Sequence, residues 1–242
     1  MRLGRRYQLF AWIHLYDPHA PYEPPEPFRS QYPGDPYSGE IAYTDSIVGQ
    51  IVSELQTRQR LSNTLLAVVG DHGEGLGEHG ERTHSLFIYN STLHVPMMIW
   101  APGTVAAGRV IDDLVRVIDL ASTLLDYLGV QDQLGEGVSL RTMIGAGSGS
   151  VDGEALALSA YSESLYPELA LERSPLRGFE SERYRLILGP EPRLFDLGQD
   201  PGSNASPGDT LRYSILIQNT SAFAVPDFSF IDELDEIGRA HV

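Results

Sequence analysis

The sequence contains no cysteine. Disulfides, thiolate metal sites and a cysteine nucleophile are therefore excluded within these residues. Positive charge is scarce as well: 17 Lys and Arg stand against 33 Asp and Glu, a formal net charge of −16. That balance argues against gripping a phosphate backbone through bulk electrostatics, so no nucleic-acid partner is expected. An anionic substrate would need local positive charge, most simply a bound cation. Long apolar runs are missing too. None approaches the ~20 residues that cross a bilayer, and the opening "MRLGRRYQLFAWIHL" carries no cleavage-site pattern. What the 242 residues do supply is 42% hydrophobic side chains, ample for one large domain or one domain plus a fragment.

Residues 7–15 are aromatic and β-branched and read as a buried strand ending at a proline-rich loop, with five prolines from Pro18 to Pro27. "SGEIAYTDSIVGQIVSELQTR" then predicts a helix with Ile41, Asp45, Val48, Val52 and Leu55 on one face; Asp45 interrupts that stripe as a hydrogen-bonded structural residue. "NTLLAVVG" (63–70) is wholly apolar, as a central parallel strand would be, and "VPMMIWAPG" reads as a second strand. A helix follows with Asp119 as N-cap, Leu120, Leu124, Leu125 and Leu128 on its apolar side, and Gly129 just past its end. Alternating strands and helices indicate an α/β sheet. After a glycine-rich loop (141–155), "LALSAYSES", "ERYRLIL" and "RLFDL" predict short strands of a smaller antiparallel sheet. The tail alternates strictly in "DTLRYSILIQNTS", the pattern of a half-exposed strand, and continues into "AFAVPDFSF".

Six of the seven histidines fall in two windows, His14–His19 and His72–His94. The first puts His19 past a strand end, on a loop stiffened by Pro18 and Pro21. Open α/β sheets bind ligands beyond the carboxyl ends of their strands. The second window, "GDHGEGLGEHGERTH", packs five glycines, four acidic residues and three histidines into residues 70–84. Gly70 and Gly73 permit a sharp bend, so Asp71 and His72 can converge on one ion. A carboxylate favours Ca²⁺, Mg²⁺ or Mn²⁺, whereas an imidazole pulls toward Mn²⁺ or Zn²⁺. Two ligands do not complete a site. His14 and His94 read as packing residues.

Together, "HLYDPHAPYEPP", "GEIAYTDSIVGQIV", "DHGEGLGEHG…TH", "VPMMIWAPG", "DLASTLLDYLG", "GVSL", "AYSESLYP" and "LFDLGQDPG" resemble, in order and spacing, the sulfatases of the alkaline phosphatase superfamily. The likeness covers roughly residues 7–202. It implies an α/β fold, a partial alkaline-phosphatase-like sandwich with a mostly parallel sheet and helices, plus a small C-terminal antiparallel sheet. It also implies hydrolysis of a sulfate ester at a divalent metal, usually Ca²⁺, with Mn²⁺ or Mg²⁺ as alternatives. By this resemblance Asp71 and His72 correspond to the late pair of metal ligands. His19 corresponds to the histidine that holds the sulfate or the leaving-group oxygen. His84 stands where the family places a Lys or His that contacts the sulfate, although Ser85 replaces the usual glycine after it. Glu74 and His79 belong to the motif and are expected to orient the ligands from behind.

The resemblance also implies parts that are not in these residues. The first metal-binding aspartates and the Cys/Ser-x-Pro-x-Arg nucleophile, converted to formylglycine, belong upstream. The expectation is therefore the C-terminal portion of a sulfatase in residues 1–202, inactive by itself. Residues 203–236 resemble a bacterial surface β-sandwich repeat, and 237–242, "IGRAHV", resemble a translated sequencing adapter. Two rival readings are a phosphonate monoester hydrolase or phosphodiesterase of the same superfamily, and a non-catalytic surface protein.

Overall fold

The computed structural model describes residues 9–130, 135–145 and 156–197, and the backbone of 214–219. In chain order the elements are β1 (Leu9–Ile13), α1 (Phe28–Gln31), α2 (Pro36–Thr57), β2 (Thr64–Val69), α3 (Asn90–Leu93), β3 (Met97–Trp100), α4 (Asp119–Tyr127), α5 (Arg141–Ile144), β4 (Ser159–Ser164), α6 (Tyr166–Leu171), β5 (Leu176–Ser181), β6 (Tyr184–Leu188), β7 (Arg193–Asp196) and β8 (Ser214–Asn219). The chain divides into two compact units. The first takes residues 1–69, 96–102 and 212–242; the second takes 70–95 and 103–211.

In the first unit the sheet order is β1-β8-β2-β3. Every residue of β2 is buried, as its unbroken apolar run requires. Its neighbours, however, are antiparallel on both sides: Leu66 faces Trp100 of β3 and Ile217 of β8. An apolar run reports burial, not the direction of adjacent strands, which is why a parallel partner was the wrong expectation. β1 and β2 do run the same way, each antiparallel to the β8 between them.

Helix α2 opens with Asp35 accepting from Ser38 N and with proline in its first turn. It packs on one face of the sheet, bringing Ile47, Ile51 and Leu55 against Ile13, Leu66 and Val68. Its buried stripe is Glu40, Thr44, Ile47, Ile51 and Leu55. The stripe drawn through Ile41 and Asp45 is therefore rotated. Val48 and Val52 only flank the core, and Asp45 is exposed. Two valines at helical spacing pulled that expectation toward the rim of a broad apolar face.

The second unit carries the small antiparallel sheet, order β4-β5-β6-β7. Three of its strands are legible in the sequence, and β5 is the addition. Asp119 does not cap α4 but is its first residue, with Ile118 in the cap position. Its fully buried carboxylate turns back instead, accepting from Arg116 N, Nε and NH2 and from Val138 N at 2.8–3.1 Å. Thr123 continues this seam, donating to Asp119 O and accepting from Leu140 N. Gly137 fits only because it lacks a Cβ, which would stand 2.1 Å from Ile118 O. Gly129 takes the left-handed conformation after the helix, as expected (φ +68°). Among the described residues, no helix is long and apolar enough to cross a membrane. The run "AFAVPDFSF" and residues 237–242 lie outside the described residues.

Candidate active site

Asp71 and His72 follow directly on the buried strand β2. The His72 amide donates to Asp71 Oδ1 at 2.9 Å, which folds the carboxylate back over the peptide. His72 Nδ1–H donates to Gly73 O at 2.9 Å, leaving the lone pair of the neutral ring on Nε2. That nitrogen lies 3.9 Å from Asp71 Oδ2. Bonds of ~2.0–2.4 Å to one cation accommodate donors ~3–4 Å apart, so this oxygen–nitrogen pair fits a shared divalent ion. Among the described residues no group of three or more His, Asp or Glu side chains has metal-binding geometry, so the pair stands as a partial donor set.

The glycines of this segment make close backbone approaches. A Cβ on Gly73 would stand 2.0 Å from Ser91 O, and its amide donates to Thr92 O at 2.8 Å. Gly75 N donates to Thr83 O and Gly77 N to Glu81 O, closing residues 75–83 into a narrow loop. The loop returns His84 to the start of the motif. The His84 and His72 ring centroids are 4.2 Å apart. His84 Nδ1 lies 2.8 Å from Glu74 Oε1, and the Glu74 side chain is wholly buried.

Glu81 is a buried carboxylate that sequence reading passed over. It accepts from Leu86 N at 2.7 Å and from Phe87 N at 3.2 Å. Burial pushes its pKa up, opposed by those two hydrogen bonds. His79 sits at the loop tip in the left-handed region (φ +53°) and stacks on Tyr89 at 3.8 Å between centroids. Glu74, the other motif residue expected to orient the ligands, meets His84. Tyr89 OH in turn accepts from Arg193 NH1 at 3.2 Å.

His19 belongs to the first unit. Its ring stacks on Tyr16, centroids 4.3 Å apart, and Nδ1–H donates to Ala20 O at 2.6 Å, with Tyr16 OH 2.8 Å away. Its backbone N donates to Oε2 of Glu40, a residue the sequence reading overlooked, at 2.9 Å. A charged residue one turn ahead of Thr44 on an otherwise apolar helical face was the available signal. Asp17, half-buried beside this loop, has its pKa raised by burial, an effect that the charge of His19 partly offsets. His14 and His94, expected to be packing residues, are both exposed. Their place beside apolar strands suggested burial, but each lies just outside the strand proper.

The model of the sulfatase family matches residues 8–130, and that of the N-sulphoglucosamine sulphohydrolase C-terminal region matches 77–217. An arylsulfatase K from Xenopus laevis is 27% identical over 180 residues, covering 68% of this chain and 32% of the relative. A protein solved in complex with its substrate D-glucosamine-2-N,6-O-disulfate superposes with a TM-score of 0.59 at 25% identity, covering 69% of this chain and 34% of that one. A phosphonate monoester hydrolase from Silicibacter pomeroyi superposes at 0.52 and 24% identity, over 68% of this chain and 35% of its own, a likeness of fold. The chain thus spans about a third of the length of these relatives.

Proposed function

Because the chain belongs to the sulfatase family, we propose that it supplies the metal-and-anion half of a site that hydrolyses sulfate esters. The observation that carries the reading is the Asp71–His72 pair, whose Oδ2 and Nε2 lie 3.9 Å apart. This pair would hold a divalent cation, Ca²⁺ by family resemblance and Mn²⁺ or Mg²⁺ by donor type. Such a cation supplies the positive charge that a protein of net charge −16 lacks for an anionic ester.

The remaining steps belong to side chains. Glu74 holds the Nδ1 proton of His84, so Nε2–H of the protonated ring would be the donor offered to the sulfate. Ala20 O holds the Nδ1 proton of His19, so the proton passed to the leaving-group oxygen would come from Nε2 of the doubly protonated ring, which returns to the neutral Nδ1–H form. The nucleophile is assigned to protein outside these residues, since the chain has no cysteine and no Ser-x-Pro-x-Arg. A formylglycine there would complete the chemistry.

The test is titration of the purified chain with Ca²⁺ and Mn²⁺ by calorimetry, in parallel with hydrolysis of an aryl sulfate and an aryl phosphate. Weak binding is expected, with Kd on the order of mM, the weak end of protein Ca²⁺ sites. Asp71→Asn should abolish it, and neither ester should turn over. Metal binding unchanged by Asp71→Asn overturns the metal assignment, and metal-dependent turnover by the pure chain overturns the half-site. In a longer polypeptide carrying the nucleophile, preference for the phosphate ester would favour the phosphoryl-transfer reading instead.

A further inference from the structure

The loop that carries His19 is held from helix α2. Its five prolines between Pro18 and Pro27 have no N–H, so the loop cannot build its own hydrogen-bond ladder. The amides that remain need acceptors from elsewhere. Glu40, 2% exposed, provides two: Oε2 accepts from His19 N at 2.9 Å and Oε1 from Glu23 N at 2.6 Å. One helical turn on, Thr44, 1% exposed, donates from Oγ1 to Asp17 O at 3.0 Å. Gly39 allows the close approach, because a Cβ there would stand 2.8 Å from Pro24 Cγ.

The loop is thus gripped at Asp17, His19 and Glu23 by consecutive turns of one helix face. A neutral Gln or Asn could supply only one oxygen for such a grip; the carboxylate supplies two and adds charge-assisted strength. The grip also bears on the histidine ring. Nδ1–H reaches Ala20 O only while the backbone on both sides of His19 keeps its course. Placement of the ring on Tyr16 has the same requirement.

We propose that Glu40 is the positioning residue for His19: it fixes the backbone on both sides of the histidine, so that Nδ1–H stays on Ala20 O and proton transfer is confined to Nε2. The proposal rests on the reading of His19 as the group at the leaving-group oxygen, but its test uses no turnover.

The experiment is nitrogen NMR and amide hydrogen exchange on the ¹⁵N-labelled 242-residue chain. The wild type should show His19 as the Nδ1–H form. In Glu40→Gln, which keeps one acceptor oxygen and loses the charge, exchange should accelerate about tenfold or more, the scale of a lost hydrogen bond to a charged group, at whichever of the His19 and Glu23 amides loses its oxygen, and less at the other. The His19 ring nitrogens should shift toward a mixture of tautomers. The Leu66 and Val68 amides in β2 should keep their rates. Thr44→Val, which removes only the Asp17 contact, should leave the His19 tautomer unchanged. If Glu40→Gln fails to fold, Glu40→Asp serves, with protection expected to fall at one of the two amides.

An unchanged His19 tautomer and unchanged exchange in the Glu40 variant overturns the proposal. So does loss of protection spread evenly over α2 and β2, which is what a purely structural residue would give. Failure here leaves the Asp71–His72 metal assignment standing, and an inactive chain leaves this test intact.

Discussion

Glu74 Oε1 lies 2.8 Å from His84 Nδ1, with the carboxylate side chain sealed from solvent and the imidazole 21% exposed. A buried carboxylate needs its hydrogen-bond partners, so the imidazole is part of the fold as well as of the site. Either Glu74→Ala or His84→Ala should cost about 1–3 kcal/mol of stability, the penalty of stranding a buried polar partner. Glu74→Gln should cost less, because an amide oxygen can still accept. Urea denaturation of the three variants checks this. Changes below about 0.5 kcal/mol in both alanine variants, the scale of a neutral surface substitution, would show that the pair carries no structural weight.

Ser85 occupies the position where sulfatases usually place glycine, and its φ is +88°. An L side chain is strained there, whereas glycine is not. Ser85→Gly is therefore expected to stabilise the chain by about 1 kcal/mol. Its carbonyl still accepts from Ser164 Oγ, so the substitution removes strain without removing a contact. A lower melting temperature in the glycine variant would contradict this.

Asp17 titrates above its ordinary 3.8 because burial disfavours the charged form. A carboxyl raised on folding imposes no cost while it is protonated in both states. The cost grows as pH climbs from the unfolded value through the folded one, and is constant above that. Asp17→Asn should match wild type near pH 3 and be the more stable protein near pH 7. Glu81 acts in the same direction, and Asp126, lowered chiefly by its bond to Ser139, in the opposite one. Urea midpoints for the variant and wild type at both pH values measure the difference, and a gap that shrinks as pH rises would reverse the sign argued here.

Both tryptophans of the chain lie near the water: Trp12 on β1 is 60% exposed and Trp100 on β3 is 40% exposed. The register puts Trp100 opposite Leu66, on the sheet face that α2 covers, while Trp12 pairs through Leu216 to Ala67 on the other face. With Phe10 and Met98 also exposed, each face shows large apolar groups at its rim. Fluorescence of the isolated chain should be that of water-exposed indole and be readily quenched by acrylamide. A blue-shifted, protected signal would mean that both rims are covered in solution.

The parts of this fold that can be read from sequence are those set by burial and by turn chemistry. The apolar run of β2, the helix after Asp119 and the strands Ser159–Ser164, Tyr184–Leu188 and Arg193–Asp196 announce themselves by pattern. Strand direction around β2 does not, because alternation and apolarity carry no information about the neighbouring strand. β5 escaped because Gly178, Glu180 and Ser181 dilute its apolar content; Gly178 is there because a Cβ would stand 2.4 Å from Ser162 Oγ. In the site, Asp71, His72, Glu74 and His84 are compressed into one motif, so sequence proximity predicted their convergence. Glu40 is 21 residues from His19 and acts on its main chain; its place on a helical face marks it as buried but not as the holder of that loop.

The segment after His84 is fastened to the small sheet at several points. Ser164 Oγ on β4 donates to Ser85 O, Arg193 on β7 donates to Tyr89 OH, and Gly178 on β5 makes room for Ile88. The imidazole therefore inherits its attitude from strands that contribute no reacting group. A substitution in β4, β5 or β7 can thus turn the His84 ring without touching the motif that carries it.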